Sequence, residues 1–507
     1  MSKLFNRTSG ILMHISSLPS NYGIGTFGQS AYEFVDFLKK SKVKIWQILP
    51  LNLTSFGDSP YQSPSNFGLN YYFIDLDILI NKGLLKEEEI SSIKFFDTLD
   101  RVNYEYQYNN RLNVLRIAYN RFDKSNKKFN TFLKRKDYRD FAFFMVLKRI
   151  NNGRPWYQFD DEYKTYSKKL ETKIIKDYND EFNFYMWTQF EFLNQFKALK
   201  RYANKNNIKI MGDMPIYVAY DSVECYKYPS MFQFNEFKEP TNVAGCPPDC
   251  FSEDGQLWGN PLWNWDNLKL TNYKWYKDRI KKSLKLFDYL RIDHFRGFSG
   301  YFSIPFKDKT ARNGKWIKGP GYDLFKDLKD LPIIAEDLGS MDDEFYKFKD
   351  ECGFPGMKIV DQALDNLDVN SEWRPSNITS NYFVYASTHD SPTTLQFIEE
   401  SDDSRRNIML TVLKDECKKM NLKYIKDEGN NSEILEKIVE LTFVNKGKAS
   451  VIAMQDLLGI GKEGRMNFPS TLSTLNWSWR MKKEDFLNKK EKISALLTKC
   501  VDEVEKL

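Results

Sequence analysis

Four acidic residues stand at the ends of short apolar runs in this sequence of 507 residues. They are Asp213 in IMGDMPIY, Asp293 in YLRIDHF, Glu336 in IIAEDLG and Asp390 in ASTHD. The chain has three histidines, and each also falls at the end of such a run: His14, His294 and His389. A buried strand rarely ends in charge without a reason, because an unpaired buried charge is costly. The pattern therefore predicts a shared polar pocket, although the number of histidines alone indicates no role for them.

Two of the acids have surroundings that suit opposite protonation states. In YLRID, the two-residue period of a strand places Arg291 and Asp293 on one face, where the guanidinium can lower the pKa of Asp293 and keep it ionised. Glu336 follows the apolar run PIIA, where partial desolvation raises the pKa of its carboxyl group towards that of a general acid. Glycoside cleavage requires this combination, with one carboxylate attacking the anomeric carbon and one carboxylic acid protonating the leaving oxygen.

Two other interpretations of the acids stay open from the residues alone. Clustered acids also hold Mg²⁺ in other barrel enzymes, and buried acids can form an ion-pair network that does no chemistry. The six cysteines show no C-x-x-C spacing, and Cys246 and Cys250 have two prolines between them and no further ligand cluster nearby. We expect free thiols, and no metal or other cofactor.

Aromatic residues make up 16% of the chain, and several stand in polar stretches rich in Gly and Pro. These are Tyr61 in GDSPYQSPS, Trp258 in GQLWGNP, and Trp263 and Trp265 just beyond it. Sugar rings present apolar C–H faces that stack on such side chains. Most Phe and Tyr residues are expected in the core, whereas Tyr61 and Trp258 fit a core and a carbohydrate cleft equally well.

Eight short strand-like runs must position these residues. They are 10–14, 44–50, 208–213, 289–293, 332–336, 356–361, 382–390 and 450–456. Most intervals between them hold amphipathic helical patterns such as AYEFVDFLKK. Alternating strands and helices favour an α/β fold of the (β/α)8 TIM barrel type, whose active site lies at the carboxyl ends of the strands. An open doubly wound sheet fits the same strand count and stays the alternative.

Two long intervals are predicted as insertions in a single catalytic barrel that spans residues 1–507. Residues 80–205 follow the second run and predict a helical subdomain, because RLNVLRIAYNRF and FNFYMWTQFEFLNQFKALKRY have helical periodicity. Residues 217–286 hold more Pro and Gly and predict loops over the active-site mouth. Only about 50 residues follow the eighth run, ending in an amphipathic helix, so no C-terminal β-sandwich domain is expected.

Charge and hydropathy argue against two classes of partner. The net charge of +6 comes from 75 basic and 69 acidic residues that are interspersed along the chain, so no nucleic-acid partner is expected. No apolar run has the length of a signal peptide or a membrane span. We therefore expect no membrane partner and a cytoplasmic protein.

Taken together and in order, the motifs resemble those of the amylomaltases, the disproportionating enzymes or 4-alpha-glucanotransferases of glycoside hydrolase family 77 in the α-amylase clan. The resemblance spans nearly the whole chain. It rests on SGILMHISSLPSNYGIGTFG, WQILPLNLTSFGDSPYQSPSNF, MGDMPIYVAYDS, VAGCPPDCFSEDGQLWGNPL, RIDHFRGF, KGPGYDLF, IIAEDLG, GFPGMK, THD, RMNFPS and NWSWR. It implies an inserted (β/α)8 barrel without a C-terminal β-sandwich domain.

The resemblance also implies an activity. A member of this family transfers α-1,4-glucan segments between maltooligosaccharides by a retaining double displacement, with α-1,4-glucans and maltooligosaccharides as donor and acceptor. An α-glucan hydrolase of the same clan and a non-catalytic glucan-binding protein are the alternatives. The protein is expected to be a monomer or a homodimer.

By the same resemblance, three acids are implied to be catalytic: Asp293 as nucleophile, Glu336 as acid/base and Asp390 as transition-state stabiliser. The residues implied to bind substrate are Tyr61, Asp213, Asp249, Trp258, Arg291, His294, His389 and Asn467.

Three positions depart from the family pattern. Ser391 follows Asp390 where Asn is usual, Ser470 stands where Gly is usual after Asn-x-Pro, and Cys250 replaces a usual aromatic residue. The catalytic carboxylates are unchanged, so these departures bear on the fit of the acceptor sugar.

Overall fold

The computed structural model describes residues 7–55, 57–248, 252–339, 341–425 and 429–504. The strands in these ranges are β1 Thr8–Leu12, β2 Ile45–Gln47, β3 Lys209–Met214, β4 Asn242–Cys246, β5 Gln256–Pro261, β6 Tyr289–Ile292, β7 Gly300–Pro305, β8 Lys315–Lys318, β9 Ile333–Ala335, β10 Gly356–Ile359, β11 Tyr382–Tyr385 and β12 Ala449–Ala453. The α-helices are α1 Gln29–Lys40, α2 Leu76–Asn81, α3 Tyr104–Arg121, α4 Lys127–Phe132, α5 Lys136–Ile150, α6 Asp161–Lys164, α7 Lys168–Asp177, α8 Asn179–Lys205, α9 Val223–Lys227, α10 Trp265–Leu270, α11 Lys274–Leu286, α12 Tyr322–Phe325, α13 Asp343–Cys352, α14 Asp361–Leu364, α15 Thr394–Glu399, α16 Asp403–Lys419, α17 Asn431–Phe443, α18 Met454–Leu458 and α19 Lys483–Val504.

Eight strands form one parallel sheet, in the order β10-β11-β12-β1-β2-β3-β6-β9. The ends of this sheet meet, because the Ala335 N–H at the end of β9 donates to the Pro355 carbonyl just before β10 at 2.9 Å. Each of the eight predicted runs overlaps one of these strands, and five runs contain the whole strand. The (β/α)8 barrel is therefore confirmed, and the open doubly wound sheet is wrong, because its outer strands would remain unjoined.

The barrel strands are short and almost wholly apolar because they are covered on both faces. All residues of β2, β9, β10 and β12 are buried, as expected where side chains alternate between the barrel interior and the surrounding helices. Close packing requires glycine at position 212 in β3, because a Cβ there would lie 2.2 Å from a ring carbon of Phe287. The core thus holds the strand ends at fixed positions.

Helices α2 to α8 occupy the interval between β2 and β3. The longest, α8, is joined to the loop after β2 by two buried glutamines. The backbone N–H groups of Leu69 and Asp75 donate to the Gln189 and Gln195 side chains, both at 2.7 Å. This loop therefore has a rigid support, while the boundaries 80–205 of a helical subdomain stay a prediction.

The interval 217–286 holds regular structure as well as loops. Strands β4 and β5 join β7 and β8 in a small antiparallel sheet of order β5-β4-β7-β8. Its own apolar cluster, which includes Val243, Phe302 and Ile304, explains why these residues form strands. Helix α11 packs near β3 and β6, so the end of this interval is barrel helix rather than loop.

The chain's last described element is the predicted C-terminal helix, α19, which packs near α1, α17 and α18. Within the described ranges, no helix combines the length and the apolar composition that crossing a membrane would need.

Candidate functional site

The four predicted acids meet at one face of the barrel. Asp213 lies in β3, Asp293 follows β6, Glu336 follows β9 and Asp390 lies in the loop after β11. Strands β3, β6 and β9 are neighbours in the sheet. Because parallel barrel strands share their carboxyl-terminal face, their end residues converge without any further device.

Arg291 joins two of these acids. Its Nη1 lies 2.6 Å from Asp213 Oδ2 and 3.0 Å from Asp293 Oδ1. Asp213 and Arg291 are register partners of the β3–β6 pair, so strand pairing brings their side chains together. Both are buried. The second oxygen of Asp213, Oδ1, is buried with no hydrogen-bond partner among the described residues.

The pKa of Asp293 is raised, whereas the neighbouring Arg291 led us to expect a lowered pKa. Burial raises this pKa, Arg291 lowers it, and three further acids raise it, to a net value of about 7: Asp213, Glu336 and Asp390. The expectation that Arg291 keeps the pKa of Asp293 low is therefore wrong in net direction. The reason is that one cation is outweighed by desolvation and by acids from other strands, which the local sequence does not show.

The Glu336 carboxylate accepts hydrogen bonds from backbone N–H groups that follow β9, its own strand, and β6, the neighbouring strand. Its Oε2 accepts from the His294 N–H at 2.7 Å, and its Oε1 accepts from the Leu338 N–H at 2.8 Å. Burial raises the pKa of Glu336 and outweighs Arg291 and the two N–H groups, which lower it. The predicted direction of this shift is confirmed.

A chain of hydrogen bonds links Asp213 to Asp390 through two rings. The Tyr61 hydroxyl donates to Asp213 Oδ2 at 2.7 Å and lies 2.9 Å from His389 Nε2. That nitrogen is 3.1 Å from Asp390 Oδ2, and Asn467 Nδ2 donates to Asp390 Oδ1 at 2.7 Å. Desolvation raises the pKa of Asp390, but His389 and Asn467 lower this pKa by a larger amount, and the net value is about 2. Asp390 is therefore an anion at neutral pH.

Trp258 and His294 meet edge to face, with ring centroids 4.9 Å apart at 90°. Trp258 stands on strand β5 rather than in a loop, because GQLWGNP pairs with β4. His294 has a left-handed backbone, with φ 47°. Burial and then Arg296 lower the pKa of His294 to about 4, so the ring is neutral. Its buried Nε2 has no hydrogen-bond partner among the described residues.

The remaining sequence candidates are a buried histidine that lines a small cavity together with His389, and two core tryptophans. His14 is buried, its Nδ1 accepts from the Leu49 N–H at 3.2 Å, and burial lowers its pKa to about 3. Trp263 and Trp265 are buried and pack on each other and on Tyr276, so they are core residues. Asp249 and Cys250 lie outside the described residues.

Two buried residues near the acids were not among the candidate site residues, although Asp456 ends the eighth predicted run and Trp477 stands in the NWSWR motif. The Asp456 side chain accepts from Ser387 Oγ at 2.5 Å and from the Thr394 N–H at 2.7 Å, at both ends of the segment that carries His389 and Asp390. Trp477 packs against Tyr61 and His389. Their partners lie some 60 to 415 positions away in sequence, so the sequence marks these two residues but does not reveal their contacts.

Two of the departures from the family pattern have visible structural roles. Ser391 Oγ accepts from the Thr388 N–H at 2.8 Å and donates to the Thr388 carbonyl at 3.2 Å, closing the turn that contains Asp390. Ser470 has a left-handed backbone with φ 63°, which is the conformation that a glycine adopts without steric cost. The first departure supports the site, and the second strains a loop beside it.

The exposure of the acids suits nucleophilic and acid–base chemistry on a bound molecule. The side chain of Asp293 is 24% exposed and that of Asp390 is 46% exposed, so both face the cleft. Among the described residues, no group of three or more His, Cys, Asp or Glu side chains is arranged to hold a metal ion.

Comparisons with known proteins agree over nearly the whole chain. A family model described as 4-alpha-glucanotransferase matches residues 13–486. The chain is 45% identical over 486 residues to a 4-alpha-glucanotransferase of Clostridium butyricum, covering 94% of this chain and 96% of the relative. It is 39% identical over 499 residues to a 4-alpha-glucanotransferase of Aquifex aeolicus, covering 97% and 98%. The structure of an amylomaltase from Streptococcus agalactiae in complex with acarbose superposes with a TM-score of 0.91 at 37% identity, covering 98% of both chains.

Proposed function

The chain belongs to the 4-alpha-glucanotransferase family, and on that premise we propose that it transfers α-1,4-glucan segments between maltooligosaccharides by a retaining double displacement. The family assignment confirms the resemblance drawn from the motifs, and the chain is an enzyme. The observation that carries the mechanism is the convergence of Asp293 and Glu336 on one barrel face, with the Asp213–Arg291 ion pair beside them.

In the first step, Glu336 donates its proton to the glucosidic oxygen while Asp293 attacks the anomeric carbon. The bond from C1 to the leaving oxygen breaks, a β-linked ester forms to Asp293, and the leaving glucan departs with the proton. Burial supports this assignment, because it raises the pKa of Glu336 and so favours the protonated acid. The Arg291 contact steadies Asp293 in its anionic form.

In the second step, the 4-hydroxyl of another glucan attacks the same carbon. Its proton passes to Glu336, the ester bond to Asp293 breaks, and the new α-1,4 bond retains the original configuration. Glu336 returns to its protonated form, so the cycle balances without any further reactant. The neighbouring His294 and Leu338 N–H groups stabilise the Glu336 anion between the two steps.

We assign Asp390 to the 2- and 3-hydroxyl groups of the reacting glucose and to its oxocarbenium-like transition state. An anion is suited to this task, and His389 and Asn467 keep Asp390 ionised. The proposed sugar contacts also include Tyr61, Asp213, Asp249, Trp258, Arg291, His294, His389 and Asn467. Trp258 offers an aromatic surface and His294 a buried ring nitrogen at the cleft.

Hydrolysis is the competing outcome of the same chemistry, because water can resolve the intermediate in place of a sugar hydroxyl. Transfer requires an acceptor side that excludes water until the second glucan binds. The proposal of transfer over hydrolysis is supported by the family to which the chain belongs.

The test is incubation of the purified protein with maltotriose alone, with chelator present. Free glucose, total reducing ends and the ladder of oligosaccharides are followed together. Transfer predicts glucose and longer maltodextrins at a constant total of reducing ends. A rise in reducing ends without longer products would instead identify a hydrolase, and no product at all would leave a glucan-binding protein.

Two broader proposals accompany the reaction. We propose a cytoplasmic location, which buried free thiols at Cys225, Cys352, Cys417 and Cys500 support because such thiols persist in a reducing compartment. A monomer or homodimer stays the expected assembly, and the elution volume at two protein concentrations measures it.

A further inference from the structure

Trp477 has an unusual backbone conformation for a large side chain. Its φ of 61° lies in the left-handed region, which is sterically unfavourable for a bulky residue with a Cβ. The surrounding structure imposes this conformation from both sides. The Trp477 N–H donates to the Met466 carbonyl at 2.7 Å, and the Trp477 carbonyl accepts from the Tyr104 hydroxyl at 2.9 Å. Strain of this kind persists where the surrounding structure imposes it, and it is frequent at active sites.

The buried indole of Trp477 packs against two rings of the site. Its centroid lies 5.6 Å from the Tyr61 ring and 6.1 Å from the His389 ring. Those two rings stack on each other at 5.4 Å and 12°. We call Tyr61, His389 and Trp477 the three-ring cluster. Tyr61 and His389 make the hydrogen bonds to Asp213 and Asp390. The three-ring cluster therefore supports the chain of hydrogen bonds that links Asp213 to Asp390.

The same turn also shapes the loop that carries Asn467. The Asn476 side chain accepts from the Phe468 N–H at 3.1 Å and donates to the Thr471 carbonyl at 3.0 Å. These hydrogen bonds hold the start of the loop beside the turn that contains Trp477. Asn467, at the start of this loop, donates to Asp390. A change at this turn therefore alters the orientation of Asp390 from two sides.

We propose that Trp477 is a positioning residue for the transfer reaction, whose strained backbone presses the indole against Tyr61 and His389 and so holds His389 in contact with Asp390. The inference rests on the proposed function for its kinetic consequence. Trp477 acts through the two rings, because the described contacts of its indole run to them.

The kinetic test compares Trp477→Phe and Trp477→Leu with Trp187→Phe. Trp187 is a fully buried tryptophan of α8 that packs on Tyr119, Phe122 and Phe184, away from the acids. We expect kcat on maltotriose to fall about tenfold in Trp477→Phe and about 100-fold in Trp477→Leu, with KM changed less than about twofold, because small misplacements of reacting groups cost this much. Trp187→Phe keeps wild-type kcat at the same folded fraction.

A spectroscopic readout separates positioning from general destabilisation. The chain has only three histidines, and burial keeps His14 and His294 neutral with pKa values of about 3 and about 4. Burial lowers the pKa of His389, but Asp390 outweighs it and raises the pKa above 6.5. NMR titration upward from pH 5 should therefore show the His389 imidazole titrating above the midpoint of an ordinary histidine, while His14 and His294 stay neutral. In Trp477→Leu the His389 midpoint should fall towards that of a free histidine, and in Trp187→Phe it should not move.

A third variant separates the indole from the backbone strain. Trp477→Gly accepts the left-handed backbone without strain but leaves a cavity where the buried indole stood, so it is compared at an equal folded fraction, where it should show the same loss of kcat and the same titration change. Trp477 variants that match Trp187→Phe in both readouts would overturn the inference. The titration needs no substrate, so a wild-type protein that makes no longer maltodextrins would count against the proposed function and not against the positioning of His389.

Discussion

The two halves of the cleft are built differently. The strand-end half consists of Asp213, Arg291, Asp293 and Glu336, which stand in or directly after β3, β6 and β9. The loop half consists of Tyr61, His389, Asp390, Asn467 and Trp477, which lie on loops far apart in sequence. Backbone register positions the first half, whereas side chains that contact each other position the second.

The electrostatics of the halves differ in the same way. In the strand-end half, burial raises the pKa values of Asp293 and Glu336. In the loop half, hydrogen-bond partners hold the pKa of Asp390 at about 2 despite burial. The proposed mechanism therefore places the nucleophile and the acid/base at strand ends, and places the anion that stabilises the transition state in the loop half. The following predictions test that division.

The largest effect is expected at the nucleophile. Asp293→Ala should lower kcat on maltotriose by about 10⁴-fold or more, because it removes the carboxylate that we propose forms the covalent intermediate. The matched control is Asp288→Asn, at the other end of the same strand, where the carboxylate accepts from Asn204 and from the Ile210 N–H. The control should lose about 1–2 kcal/mol of unfolding free energy in a denaturant titration and keep its kcat. Near-normal turnover in Asp293→Ala would rule out its role.

The second effect concerns the acid limb of the pH profile. In the proposed mechanism Asp293 must be an anion to attack. Because its pKa is raised to about 7, the kcat/KM of the enzyme should fall as protonation of Asp293 increases below about pH 7. Arg291→Met removes the cation that lowers this pKa, so the limb should move to higher pH and the rate should fall about 100-fold. Arg291→Lys keeps the charge and should lose rate with a smaller displacement of the limb. An unmoved limb in Arg291→Met would contradict the electrostatic role.

A smaller effect is expected where the loop half is anchored. Asp456→Asn should weaken the hold on both ends of the segment from Ser387 to Thr394 and lower kcat/KM about tenfold. Its acid limb should stay at the wild-type pH, because Asp456 lies outside the strand-end half. Ser387→Ala removes one of the two contacts and should cost less. Equal kinetics for Asp456→Asn and wild type would show that the segment orients itself.

The smallest effect is on stability. Ser470→Gly should raise the free energy of unfolding by about 0.5 kcal/mol, because relief of the left-handed backbone at φ 63° exceeds the entropy that glycine adds to the unfolded chain. Ser473→Gly in the same loop is the control and should destabilise, since Ser473 Oγ accepts from the Leu475 N–H. Denaturant titrations of both variants check the signs. A loss of stability in Ser470→Gly would show that the serine side chain has a partner worth more than the strain.

Much of the strand-end half could be predicted from the sequence. Apolar runs that end in Asp293 and Glu336 indicate strand ends, and a parallel barrel brings such ends together whatever lies between them. The two-residue period also places Arg291 beside Asp293 correctly. The prediction that Trp258 lies in a loop was wrong. The segment GQLWGNP forms strand β5 because it pairs with β4, and this pairing is not visible in the local sequence.

The sequence by itself determined the family and, through it, the barrel, and it singled out the four acids at the ends of strand-like runs, because these depend on local periodicity and on short motifs. Only the tertiary structure decided the net pKa of Asp293, the hydrogen-bond chain from Asp213 to Asp390 and the strained contact of Trp477. Each of these sums interactions between residues that are distant in the chain, and such sums depend on distances and burial that exist only after folding.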